Sequence, residues 1–433
     1  SAVLTNATIM NCTLGGRSLE STAPLNLLGG AIAVTSQGSL ELRHTIITRA
    51  MIYATALGSA NGAAVHVGIG SSLIMLHSVV SECTAHSSSI RGASGGAFGG
   101  ALYISAGARV NVSHTTFDRC CARSDAAVAQ AGAAMGGAVR AREGSTVMIW
   151  RSTVQSCTAV ASGIASRAEG GALALRGCAL HIEDTTISEC NASGLRAEGG
   201  GIHSRGDAVI VLQQSRIARC SVLAPLAGRA EGGAIFVDDG SVLLRERTQL
   251  INNVANGASS QGSTIMAQGG TVTYKLPAPR GHWIAAQLCL VYRSACPRDA
   301  LGNLVDADGD FDPRCGLTAH ACSLTVATNA TINGTHCQPI SWNQPCDWQS
   351  NAALLGSYVQ VLPLAPLEGD FPLPCAAGLL GSDNAKYQRT SLCRARCPAG
   401  HICAQEATTV ADVCPPGYYC PEGSAAPLAC PGG

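Results

Sequence analysis

Apolar and polar residues alternate with a period of two through short runs, and the runs themselves recur. Gly29-Gly30-Ala31-Ile32-Ala33-Val34 returns as Gly99-Gly100-Ala101-Leu102-Tyr103-Ile104, Gly136-Gly137-Ala138-Val139-Arg140-Ala141, Gly170-Gly171-Ala172-Leu173-Ala174-Leu175 and Gly232-Gly233-Ala234-Ile235-Phe236-Val237. Looser copies stand at Gly62-Ala63-Ala64-Val65, Gly200-Gly201-Ile202 and Gly269-Gly270-Thr271-Val272. The second Gly or its equivalent then falls at 30, 63, 100, 137, 171, 201, 233 and 270, a spacing of 30 to 37 residues. Repeats of that period build solenoids or propellers.

Each unit predicts three short strands. The Gly-Gly segment is the first. A run such as Leu40-Glu41-Leu42, Val110-Asn111-Val112 or Leu180-His181-Ile182 is the second. The third is Thr-apolar-x-x-Cys, as in Thr116-Phe117-Asp118-Arg119-Cys120, Thr153-Val154-Gln155-Ser156-Cys157 and Thr186-Ile187-Ser188-Glu189-Cys190, with Arg216 opening the copy that ends at Cys220. The alternation buries one face of each strand, and no segment has a helical period. Such strands cannot bury a core within one unit. Stacked about 4.8 Å apart, equivalent strands bury each other's Ile, Val and Leu and pair their backbones. A propeller would need four strands per blade and aromatic signatures, but aromatics are 4% of the chain. The expected fold is therefore all-β, a right-handed parallel β-helix over residues 1–285 of about eight coils.

These units resemble the repeats of the pectin lyase-like β-helix superfamily, above all those of the polymorphic outer membrane protein type. That type closes its unit with Phe-x-x-Asn; here the Asn position holds Cys except at Asn253. Cys83, Cys120, Cys157, Cys190 and Cys220 fall at one corner of successive coils. Neighbours there can bridge, or stack as buried thiols; Cys12, Cys121 and Cys178 leave the pairing open.

Composition then sets the compartment. Twenty-one cysteines, zero formal net charge and sequons at Asn6, Asn11, Asn111, Asn191, Asn329 and Asn333 describe a secreted, glycosylated, extracellular or cell-surface chain. Neutral charge argues against nucleic acid, which asks for a basic face. No run of about 20 apolar residues marks a membrane span. The sequence opens inside a coil and stops inside a motif, so it reads as a piece of a longer protein.

Beyond the repeats, residues 286–366 form a cap or linker whose Cys289, Cys296, Cys315, Cys322, Cys337 and Cys346 suit local disulfides. In residues 367–433, Cys375 and Cys393 precede Cys397-Pro398-Ala399-Gly400-His401-Ile402-Cys403 and Cys414-Pro415-Pro416-Gly417-Tyr418-Tyr419-Cys420. These motifs resemble ephrin-receptor-like cysteine-rich repeats, in which bridges replace a hydrophobic core. One acidic run, Asp306, Asp308, Asp310 and Asp312 around Gly309, can wrap calcium or form a solvated turn. No other cofactor is expected.

In pectin lyase-like enzymes the substrate lies along the first-strand face. If Ile32, Leu102, Val139, Leu173, Ile202 and Ile235 point inward, the opposite row holds His66, Tyr103, Arg140, His203 and Phe236, with Arg142, Arg176, Arg205 and Asp238 two residues further on. Tyr103, Arg140, His203 and Phe236 thus make a candidate glycan-binding row. Hydrolysis asks for paired carboxylates, and only Asp238 and Asp239 stand near. The favoured expectation is a non-enzymatic structural or adhesive protein that meets extracellular proteins, glycans or further copies of itself. The alternative is a glycan-binding or glycan-cleaving β-helix protein, a polysaccharide lyase or glycoside hydrolase.

Overall fold

The computed structural model describes residues 1–284 apart from 17–25, 56–57, 90–94, 127–131, 226–227 and 269, and residues 367–430 apart from 368 and 389–390, with a few short strands between. Asp306, Asp308, Asp310, Asp312, Asn329, Asn333 and the side chains of the six cysteines from Cys289 to Cys346 lie outside the described residues. The chain is a parallel β-helix. Each coil contributes five strands, one to each of five sheets, as in Ser39–Arg43 (sheet 1), Ile46–Thr48 (sheet 2), Met51–Thr55 (sheet 3), Ser59–Asn61 (sheet 4) and Val65–Val67 (sheet 5). Sheets 2 to 5 are eight strands deep, and sheet 1 carries nine parallel strands and a tenth, antiparallel one.

Sheets 1, 2 and 5 match the three expected strands. They enclose the main core, in which Leu102, Val139, Leu173, Ile202 and Ile235 point inward and are at most 1% exposed. Sheets 3 and 4 add two strands per coil to the three that the sequence predicts. Thr158-Ala159-Val160-Ala161 and Arg167-Ala168-Glu169 also alternate, but their inward residues are alanines. Ala134, Ala159, Ala168, Ala192, Ala197, Val222 and Ala230 pack as a second, thin core between these two sheets. Alanine buries so little area that two facing strands, not one, are needed to exclude water.

The two cores meet at the Gly-Gly pair. Gly170 turns the chain with φ +65°, a region that costs a residue with a side chain. Gly171 is required for a different reason, because a Cβ there would press on the Gly200 carbonyl of the next coil and stand 2.6 Å from backbone atoms of Asn191, where sheet 3 begins. Gly100, Gly137, Gly200 and Gly233 sit in the same bind. The last corner is Gly262-Ser263 rather than Gly269-Gly270, since Ile265–Gln268 is the strand of sheet 5 and Thr271–Lys275 already belongs to sheet 1. Likewise Gly200, not Gly201, is the partner of Gly171, because Gly199 carries the left-handed turn.

Side chains stacked in columns satisfy the buried corner groups. Ser78, Thr115, Ser152, Thr185 and Ser215 each accept from the backbone N–H one coil earlier, at 3.1–3.3 Å. The cysteine column does similar work with thiols, which are free. Cys83, Cys120, Cys157 and Cys190 each donate Sγ to the carbonyl two residues before them and, at 3.6–4.0 Å, to a carbonyl of the preceding coil. Cys220 donates to the Ala218 carbonyl, and Asn253, which follows it in the column, accepts from the Cys220 N–H at 3.0 Å and donates Nδ2 to the Ile217 carbonyl of the preceding coil at 3.1 Å. Cysteine thus serves as a donor at the position that asparagine takes in the last coil. Neighbouring thiols and burial hold the acidity of Cys83 and Cys120 far below that of a free thiol; burial does so first for Cys157 and Cys190.

At the far end, an added antiparallel segment covers the last coil. Leu367 bridges Ile265, Phe371 bridges Leu250, and the Phe371 ring packs edge-on against Tyr274 at 5.6 Å. Covering an open sheet edge removes a template for aggregation. Disulfides Cys375–Cys393, Cys397–Cys403 and Cys414–Cys420 hold the terminal module. Gln388 ties it to the β-helix, accepting from Ala278 N–H at 2.8 Å and donating to the Ala278 and Pro279 carbonyls.

Gly171→Ala should cost about 1–3 kcal/mol or more, since backbone on two sides leaves no room to relax. Gly15→Ala, with open space around it, should change stability little. Chemical unfolding of both variants checks the contrast.

Candidate functional site

Sheet 4 runs straight into sheet 5 through the Gly-Gly corner, so the last residue of one strand faces the middle residue of the next. The column in sheet 5 reads Ala33, His66, Tyr103, Arg140, Ala174, His203, Phe236 and Met266. None of these belongs to the main core, as the alternation requires. Yet Tyr103, Arg140, His203 and Phe236 do not form the solvated row that the sequence reading places there. They are 9%, 6%, 0% and 0% exposed, His203 under carboxylates of sheet 4 and Tyr103 packed between His66 and Phe98 with only its edge towards the groove.

What covers them divides the corner in two. In the later coils the cover is ionic. Arg167-Ala168-Glu169, Arg196-Ala197-Glu198 and Arg229-Ala230-Glu231 pair in register, stacking three arginines and three glutamates. His203 lies between two of the carboxylates, with Nδ1 3.4 Å from Glu169 Oε2 and Nε2 3.2 Å from Glu198 Oε2. Arg167 touches Glu169 through Nε and reaches Glu198 through Nη2 at 3.1 Å; Arg196 also contacts Glu198. The Arg167–Glu169 contact is an ion pair without hydrogen-bond alignment, since Arg167 Nε and Glu169 Oε1 both lack a hydrogen-bond partner. Arg229 holds Glu231 at 2.6 Å, and Gln268 approaches it at 3.4 Å. Phe236 stacks flat on the His203 ring at 5.2 Å. Burial would raise the Glu198 pKa, but His203, Arg167 and Arg196 outweigh it and hold the carboxyl at about 2.

Glu169, Glu198 and His203 place ligand atoms within 4.8 Å of one another, the spacing of a metal site. The chemistry of the donors does not favour one, because Arg167 and Arg196 already occupy the carboxylate oxygens that a cation would need. This cluster escaped the sequence reading, although the signal was present: Arg-Ala-Glu precedes Gly-Gly three times in succession. The carboxylates expected nearby, Asp238 and Asp239, are not part of it; Asp238 pairs with Arg205 at 3.1 Å on the surface.

In the earlier coils the corner is open. Ala33 stands before His66 in the column, and a groove of about 720 Å³ follows, lined by Gln37, Asn61, His66, Phe98, Tyr103 and Arg142 among others. His66 and Tyr103 stack at 5.4 Å, Phe98 inclines towards Tyr103 at 6.4 Å, and Arg142 Nη1 donates to the Tyr103 hydroxyl at 3.3 Å. Burial lowers the His66 pKa, and its Nδ1 has no hydrogen-bond partner. Of the four residues expected to bind a glycan, only Tyr103 lines this groove. Arg140 is buried between the two regions; burial lowers its pKa against the pull of Glu169. Of the sequons, Asn6, Asn11 and Asn111 are exposed, whereas Asn191 is half-buried with its Oδ1 unpartnered.

No family model matches the chain, and no curated protein does. Among solved structures, a TibC-catalysed hyper-glycosylated TibA fragment aligns with 62% of this chain and all of its own, at 13% identity and a TM-score of 0.11, values that carry no argument about either fold or function.

Glu198→Ala leaves Arg196 without its carboxylate and removes one of the two carboxylates that Arg167 and His203 contact, and should cost about 3–5 kcal/mol. Because the folded pKa lies below the ordinary 4.5, the carboxylate's contribution is full above that value and is lost as pH falls towards about 2. Thermal midpoints followed over this window should fall less steeply for Glu198→Gln than for the unaltered protein.

Proposed function

We propose that this protein is a non-enzymatic extracellular scaffold, a rigid β-helix with adhesive capacity, and that the open corner around Tyr103 takes a neutral or acidic sugar. The observation that carries the reading is the use made of the corner's carboxylates. A glycosidase acid needs a raised pKa and access to the glycosidic oxygen. Glu198 is held at about 2 and, with Glu169 and Glu231, is buried against arginine. These groups serve as structural counter-ions. Continuous ladders through eight coils supply stiffness, and the three disulfides of the terminal module support an oxidising compartment.

Glycan binding rests on the open groove. The partly exposed Phe98 ring and the edges of the stacked His66 and Tyr103 offer apolar surface to a sugar's C–H groups, while Asn61, Gln37 and Arg142 offer hydrogen bonds. The lining thereby supports the glycan-binding form of the alternative expectation, with His66, Phe98 and Arg142 taking the places assigned from sequence to Arg140, His203 and Phe236.

A glycan array on the intact chain is the direct test. Binding of a bound sugar should weaken roughly tenfold in Tyr103→Ala and persist in Trp150→Ala, whose ring is exposed on sheet 1. Cleavage of any bound polysaccharide would contradict the scaffold reading.

A further inference from the structure

The corner between sheets 1 and 2 carries a second column that neither the groove nor the scaffold uses. His44, His77 and His114 occupy it on three successive coils, each exposed and each with φ between +47° and +49°. Left-handed corners tolerate Asn, Asp and His, and Asn6, Arg151, Asp184 and Gln214 fill equivalent corners elsewhere. Tolerance alone therefore does not explain three imidazoles in a row. Their rings stack, His44 on His77 at 5.1 Å and 10°, His77 on His114 at 4.5 Å and 20°.

We propose that His77 and His114 form a two-imidazole site for a borderline divalent cation of the Cu²⁺, Ni²⁺ and Zn²⁺ series. Imidazole suits these ions, and affinity along the series peaks at copper. The β-helix register brings the two side chains together without any cost in loop ordering, and the 4.5 Å pair is the closer of the two. Because stacked rings aim their in-plane lone pairs side by side, binding requires these exposed side chains to swing out of the stack until one nitrogen of each meets a single ion at about 2.0–2.1 Å. Ser113 adds the outer contact that metal-binding histidines usually have: its Oγ lies 2.7 Å from His114 Nδ1 and leaves Nε2 to the ion.

Neighbouring charges do not block the site. Arg151, next in the column, is turned on to the Trp150 ring at 5.4 Å and pairs with Asp184 at 3.6 Å. Arg43, beside His44, is paired with Glu41 at 2.6 Å. Water completes the coordination sphere. His86, on sheet 3, is already paired with Asp125, which Arg123 also holds.

Titration calorimetry of the intact chain with CuCl₂, NiCl₂ and ZnCl₂ at neutral pH tests the proposal. One ion per chain is expected at this corner, tightest for Cu²⁺. Removing one of two linked ligands forfeits the bivalent advantage, so His77→Ala and His114→Ala should each weaken binding on the order of 10²-fold. His44→Ala should leave it unchanged, and Ser113→Ala should weaken it about tenfold. Circular dichroism confirms that these surface variants keep the fold. Absence of binding, or binding in His77→Ala equal to that of the unaltered chain, overturns the site. Loss in His44→Ala with retention in His114→Ala overturns the choice of pair.

Discussion

Backbone must touch backbone where the two cores of each coil meet, and the rest of the structure depends on that contact. At Gly171 the next coil's corner carbonyl and the first residue of sheet 3 leave no volume for a methyl group. Glycine at this point lets sheets 3 and 4 fold back as a flap that shares the helical register of the main core. Without the flap, the outer face of sheet 5 would be solvated and the corner would hold neither a groove nor an ion-pair ladder.

Stacking converts each position of the repeat into a column, and each column then solves one problem many times. Hydroxyls serve the corner between sheets 1 and 2; thiols, and finally Asn253, serve the corner between sheets 2 and 3. Arginine and glutamate do the same for sheet 4, where three buried carboxylates would otherwise be prohibitive. Some columns are interrupted by alanine. Ala33 ends the row of large side chains before His66 and leaves space, whereas further along Ala174 is roofed by the Glu169, Glu198 and His203 cluster.

Much of the fold was legible because Gly-Gly-Ala followed by alternating Ile, Leu and Val has few other uses. Sheets 3 and 4 were not, since Ala159 and Ala168 carry the right parity but too little hydrophobic signal to mark a strand. The last corner was misplaced because Ser263 replaces the second glycine, and the nearby Gly269-Gly270 imitates the pair. For the site, parity correctly separated Leu102 from Tyr103 and Ile235 from Phe236. It could not reveal that a second sheet lies over Phe236, because a strand's period tells which residues share a face and nothing about what covers that face.

The cover of sheet 4 over sheet 5 is tested most directly by hydroxyl-radical footprinting of the native protein, comparing Phe236 with Trp150. Both are aromatic and reactive, but Phe236 is fully buried in the corner and Trp150 is 44% exposed on sheet 1. Labelling of Trp150 with Phe236 protected until the chain unfolds is the expected result. Native labelling of Phe236 at a rate close to that of Trp150 would mean that the outer row of sheet 5 faces water, and would contradict the double-core architecture.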